Sequence, residues 1–394
     1  MVELYIGTKN VEESNLFFRK LWSELDSICT NGWNFCPSRS GQRISIGYCN
    51  LGEVSFTYKE KGSIEFLYID ADDSTGQIME ALIRARSDFY HPNKYYVSLK
   101  LESKKAVSIE SIYSRNAAIE TNGDNTELCF MVSAYSKLDL HHLLANKMAW
   151  ITYLLSEYTH TLFSISHISY SATHELKKQK FFSPKSNYSY EWFDTDERPV
   201  NESQQVVLPD ELMELINQVI ERDTYNENLQ LLLNSAQLFY WSLHMINNAF
   251  ISGRAMQPGY LDIINSILIS SLEPLSNIGA PKPEVCEFCG NIKYSIVKKV
   301  RDLTKKYLNE HISNDISKRA YRNRSAFLHS GVPMTYEHFS GSSFPPIDAN
   351  RKNEMAMYTH FEYNIKDYIS YIFRKMVVEY IIQETMDGVS NKER

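Results

Sequence analysis

The chain has 394 residues, 43% of them apolar and 23% charged, with a net charge of −7. That length exceeds one ordinary core and calls for two or three domains, while the composition excludes a disordered chain. The acidic balance excludes a surface that coats nucleic acid throughout, and no apolar run reaches the ~18 residues of a membrane span.

Residues 1–175 read as a strand-rich mixed domain. Alternating, β-branched or aromatic runs fall at 42–49, 53–59, 63–69, 95–101, 127–135 and 161–170. Two stripes at helical spacing interrupt them. Ile78, Ala81, Leu82 and Ala85 predict a helix over about 74–88, and Leu140, Leu144, Met148, Ile151 and Leu155 predict another over 137–158. Asp70, Asp72 and Asp73 before the first of these read as its N-terminal cap, with a metal site as the alternative.

Periodicity then disappears, and residues 176–208 read as a linker or a long wrapping loop. Residues 209–394 read as helical. Helices are predicted from Pro209, over 226–250, over 260–272 with a break at Pro274, over 294–310, over 315–329 closed by Gly331 and Pro333, and over 354–386. The fold class expected is therefore α+β, with a β-rich N-terminal part and an all-α bundle of five or six helices.

Charge is uneven along this bundle. Residues 293–324 hold ten Lys and Arg against three Asp and Glu, a local charge of +7 in an acidic chain. This strip is a candidate phosphate-binding surface, with Lys298, Arg301 and Lys305 as the residues expected to guide RNA; the alternative is a solvated basic helix face.

Beyond that strip the sequence runs Tyr321-Arg322-Asn323-Arg324-Ser325-Ala326-Phe327-Leu328-His329-Ser330-Gly331. It resembles the signature of the HEPN ribonucleases, an arginine usually followed by a small polar residue, then a histidine with four to six residues between the two. Arg324, Ser325 and His329 match it residue by residue; Ser330 stands where many relatives have glycine. Cys286-Glu287-Phe288-Cys289-Gly290 and Ile267-Leu268-Ile269-Ser270-Ser271-Leu272-Glu273 are similar to segments of the Apea-like HEPN proteins of bacterial antiphage defence. The resemblance covers residues 210–385. It implies a metal-independent endoribonuclease, acting on host RNA (tRNA among the candidates) in abortive infection or as a toxin. It also implies a homodimer with motifs facing across a shared cleft, and an N-terminal domain that senses a phage-derived or cellular trigger. A non-catalytic HEPN scaffold, binding a partner protein or a nucleotidyltransferase, is the alternative.

The residue types suit RNA cleavage without a cofactor. A histidine, with an ordinary pKa near 6.5, serves as base or acid near neutrality, and arginine grips phosphoryl oxygens while keeping its charge. At about 100° per residue Ser325 and His329 share a helix face, so the serine hydroxyl is placed to orient the imidazole. Arg324 lies about 140° from His329, whereas Arg322 lies only about 20° from it and is held as a second cation. Against these roles stands a plainer one, polar residues at a helix end with the histidine on its last carbonyls. Glu273 reads either as a cleft residue or as a helix-end charge.

Other candidates are weaker. Cys286-x-x-Cys289 is half of a zinc knuckle without a second close pair, and six sparse cysteines make no disulfide framework. His141 and His142 read as surface residues, and His244 as a hydrogen-bonded bundle histidine. No phosphate-loop, dinucleotide, serine-hydrolase or zincin motif occurs, so no cofactor or metal ligand set is assigned. With no leader at Met1–Tyr5, a cytoplasmic protein without membrane contact is expected.

Overall fold

A computed structural model describes residues 2–29, 32–59, 62–71, 76–104, 107–123, 125–172, 192, 197–252, 259–280, 296–332, 334 and 362–390. The chain divides into two compact units: 1–96, 131–146 and 170–175 form the first, and 97–130, 147–169 and 176–394 the second.

In the first unit, β1 (Val2–Tyr5), β2 (Ser38–Ser40), β3 (Arg43–Cys49), β4 (Gly52–Tyr58) and β5 (Ile64–Ala71) form one sheet. Its order is β1-β5-β4-β3-β2, every pairing antiparallel. Period-two alternation turns Val54 and Phe56 of β4, and Leu67 and Ile69 of β5, inward. They meet Phe17, Leu21 and Leu25 of α1 (Val11–Ile28) and Ile78, Ala81, Leu82 and Ala85 of α2 (Gln77–Asp88) in one core. Each large side chain so buried contributes about 1.5–3 kcal/mol. Helix α1 starts at Asn10, whose side chain accepts from the Glu13 N–H. Helix α2 starts later than expected and is capped by Gly76 in the left-handed region, not by an aspartate or serine side chain. Asp70 is a strand residue of β5, and Asp72 and Asp73 lie outside the described residues.

A second sheet contains β6 (Asn93–Ser103), β7 (Ile112–Tyr113), β8 (Ala117–Asn122), β9 (Asn125–Ala134) and β10 (Phe163–Ser171), in the order β10-β6-β9-β8-β7. The long helix α3 (Lys137–Thr159) precedes β10. Where the sequence suggests one cut after residue 175, the structure groups most of this sheet with the helical half. One reason lies at the end of the expected linker. Val206, Val207 and Leu208 are buried, and the Val206 backbone bonds to Ser108 and Glu110 at 2.9 Å each. Three consecutive apolar residues are buried there, and an isolated parallel bridge between Val206 and Ile109 satisfies part of their backbone. Residues 176–191 and 193–196 of that linker lie outside the described residues.

The helices of the second unit follow as α4 (Asp210–Glu221), α5 (Glu227–Ser252), α6 (Tyr260–Ser270), α7 (Leu272–Asn277), α8 (Ile296–Tyr307), α9 (Glu310–Asn314), α10 (Tyr321–Ser330) and α11 (Glu362–Ser390). Leu232, Leu233, Ala236 and Phe239 of α5, Ile264 and Leu268 of α6, and Ile369, Ile372, Phe373 and Val377 of α11 are buried. Lys147 of α3 is buried too and donates to the Val219, Ile220 and Arg222 carbonyls at 2.8–3.0 Å, filling the open C-terminus of α4.

Two expectations change. Pro274 does not break the chain; it is the third residue of the short α7, where a first-turn proline forfeits no intrahelical bond. The helix expected over 315–329 is longer, because α9 runs into α10 through a π-helical turn, Asp315–Ala320. The fold class is α+β, strand-rich first and helical after. No helix among the described residues is long and apolar enough to cross a membrane.

Candidate functional site

The site forms where α10 meets the joint between α6 and α7. Ser270 ends α6 and Glu273 is the second residue of α7; Tyr321 opens α10 and Arg324 follows one turn later. Each pair is three residues apart, and the two pairs interlock. Arg324 donates from Nε and Nη2 to Ser270 Oγ at 3.1 and 2.8 Å. Its Nη1 lies 2.9 Å from Glu273 Oε1, with 16% of the arginine side chain and 30% of the glutamate exposed. The Tyr321 hydroxyl donates to the same carboxylate oxygen, and the guanidinium carbon stands 5.4 Å from the Tyr321 ring centroid. Burial first, and then the bond to Glu273, push the Tyr321 hydroxyl well above the usual phenol range. Of the five N–H groups of a guanidinium, these contacts take three. One N–H on each terminal nitrogen is left for a further acceptor.

The other motif residues stand differently. His329 lies exposed in the last turn of α10. Gly331 closes that helix in the left-handed region (φ 66°), its N–H donating to the Phe327 carbonyl at 2.9 Å. The closing turn therefore accommodates Ser330 as the last helical residue. Ser325 is half-buried and Arg322 exposed. Among the described residues, Ser325, Arg322 and His329 make no side-chain hydrogen bond or ion pair, so Ser325 does not hold the imidazole in this arrangement. Arg324 and His329 flank α10, about 140° apart around the helix and ~7.5 Å along it. One chain thus presents a fixed arginine and a free histidine on two sides of one helix.

On α8, Val300 and Leu303 are buried while Lys298 and Lys305 are exposed and Arg301 is half-buried. Two neighbours of that strip are engaged: Lys299 donates to Asn277 at 2.8 Å, and Lys306 pairs with Glu379. Arg301 Nε lies 3.8 Å from Asp302 Oδ1. Lys298 and Lys305 keep open ammonium groups among the described residues.

The remaining candidates resolve plainly. His141 and His142 are exposed on α3, and the His142 ring lies tilted against Trp22 with centroids 4.3 Å apart. His244 of α5 is half-buried, with Nδ1 3.1 Å from Asn248 Nδ2. Cys286 and Cys289 lie outside the described residues.

The sequence reading missed a buried ionic cluster in the second unit. Arg374 of α11, fully buried, lies over the Trp192 ring at 3.6 Å, donates to the Trp192 carbonyl and to Ser370 Oγ, and places Nη1 3.5 Å from His160 Nε2. His160 Nδ1 faces Asp367 Oδ1 at 3.2 Å. Burial holds His160 down at about 3 despite that aspartate, and pushes the Glu157 carboxyl well up despite Arg374. An arginine inside the apolar stretch around Ile372 and Phe373 was the one signal; apart from Ser370, the groups it meets, His160 and Trp192, lie far away in sequence.

Comparison with protein-family models, with curated proteins and with solved structures finds no match for this chain.

Proposed function

We propose that the second unit is a metal-independent endoribonuclease of the HEPN type, working as a homodimer. The observation that carries this reading is the Arg324–Glu273 pair. Two separate segments that each resemble the family, 267–273 and 321–331, meet side chain to side chain. Arg324, oriented by Ser270 and Glu273, offers its two remaining N–H groups to a phosphoryl oxygen, where a positioned charge acts most strongly on the pentavalent state. His329 takes the proton of the ribose 2′-OH. That oxygen bonds to phosphorus as the P–O5′ bond breaks, and the second copy's His329, protonated, gives its proton to O5′. A homodimer supplies the second imidazole that one chain lacks. In a cell, such cleavage of host RNA would arrest growth. Lys298, Arg301 and Lys305 hold the RNA backbone beyond the reacting phosphate. Induced expression tests the reading: wild-type protein arrests growth, whereas His329→Ala and Arg324→Ala do not.

The same ion pair also suits a second reading, a non-catalytic helical scaffold in which Glu273 and Arg324 simply tie α7 to α10. Under it both substitutions leave growth as wild type does, and dimerisation or partner binding is the property they change.

A further inference from the structure

The π-helical turn before the motif has a consequence for substrate binding that the signature does not contain. Over Asp315–Ala320 the backbone closes through wider turns, the Tyr321 N–H reaching back five residues to the Ile316 carbonyl. In an α-helix, four residues overshoot a full turn by about 40°. A wider turn holds more residues and takes up part of that overshoot, so Lys318 falls nearly in line with Arg322. Arg322 in turn lies within about 20° of His329, seven residues on. Lys318, Arg322 and His329 are all exposed, and among the described residues the side chains of Lys318 and Arg322 make no hydrogen bond or ion pair. Arg324, by contrast, spends three donors on Ser270 and Glu273. The carboxylate nearest in sequence, Asp315, is half-buried and lies 4.0 Å from His311 at the far end of the turn.

We infer that Lys318 and Arg322 form a phosphate-binding track that leads single-stranded RNA to His329. The track extends ~16 Å along one helical stripe, which spans more than one nucleotide of backbone. Arg324 acts on the reacting phosphate and the two track cations on its neighbours. The inference rests on the ribonuclease reading above for the identity of the ligand, and on exposure and helical register for the residues.

The test is binding of a 2′-O-methyl oligoribonucleotide, which cannot be cut, to the full-length protein across a salt series. Lys318→Ala, Arg322→Ala and the double variant are compared with wild type and with Lys137→Ala, an exposed lysine of the first unit. Each phosphate contact on a single strand contributes about 0.7 to the slope of log affinity against log salt. The expected result is a slope lowered by about 0.7 for each single variant and about 1.4 for the double variant, with Lys137→Ala unchanged. A double-variant slope equal to that of wild type overturns the track, as does an equal loss in Lys137→Ala. Cleavage assays on unmodified RNA separate the two proposals. Wild-type cleavage with an unchanged slope sinks the track alone, a lowered slope without any cleavage sinks the nuclease alone, and absence of binding by wild type sinks both.

Discussion

Arg324 on α10 and Glu273 on α7 hold one another at 2.9 Å, and Ser270 and Tyr321 complete the tie. Distant parts of the second unit thereby fix the guanidinium before any substrate arrives, and fixed charge is what transition-state stabilisation requires.

Loss of that fixing should be separable from loss of the charge. Arg324→Ala is expected to lower the cleavage rate by about 10²–10³-fold, the range for deleting one stabilising donor group. Glu273→Gln keeps a hydrogen-bond acceptor but removes the charge; it should cost on the order of 1–2 kcal/mol of stability. It should also reduce the rate less than Arg324→Ala does. Initial rates, with denaturant melts as the stability measurement, check both. A Glu273→Gln variant as inactive as Arg324→Ala, yet fully stable, would mean that the glutamate takes part in the chemistry itself.

His329 is exposed, so its replacement should act on the reaction and not on the fold. His329→Ala is expected to abolish cleavage while circular dichroism and light scattering stay as in wild type. Ser325→Ala should be mild, because no hydrogen bond links that hydroxyl to the imidazole. A Ser325→Ala effect as large as that of His329→Ala would show that the serine engages only once substrate is bound.

The α8 strip predicts a salt effect. Neutralising Lys298, Arg301 and Lys305 together should weaken RNA binding and flatten its salt dependence by up to about 2 in slope, at roughly 0.7 per contact. Because Arg301 is half-buried beside Asp302, its share should be the smallest. An unchanged slope returns the strip to a solvated helix face.

The buried cluster predicts acid sensitivity. His160 is held neutral to about 3 in the fold but titrates near its ordinary value when unfolded. Below about pH 6.5 the unfolded chain therefore binds a proton that the folded chain refuses, and stability falls as pH drops towards 3. Glu157 acts in the opposite sense: its raised pKa favours the fold at low pH and costs stability as pH rises above the ordinary carboxylate range. Melting temperatures of wild type and His160→Asn, compared at pH 7 and pH 5, isolate the first effect. The wild type should lose more on acidification than the variant does; equal losses would contradict the assignment.

Much of this architecture is legible in the residues. Stripes such as Ile78, Ala81, Leu82 and Ala85 announce α2, and the positions of α5, α6 and α8 follow from periodicity to within a few residues. What escapes is set by tertiary packing. Val206, Val207 and Leu208 look like the end of a linker until the fold buries them and bridges Val206 to Ile109, and Pro274 looks like a break until it falls in a first turn. The π turn has no signature in side-chain pattern. At the site, both interlocking pairs carry i,i+3 spacing, Ser270 with Glu273 and Tyr321 with Arg324. Only the fold shows that they face each other. The partners of Arg374 were invisible because Glu157, His160 and Trp192 have no local pattern in common with it.

The most direct test of the central claim is the chemistry of the cut ends. Purified wild-type protein, given RNA in the presence of excess EDTA, should produce 2′,3′-cyclic phosphate and 5′-hydroxyl termini, because the ribose 2′-oxygen is the nucleophile and His329 its base. Strict dependence on added Mg²⁺ or Mn²⁺, with 5′-phosphate ends, would contradict the account.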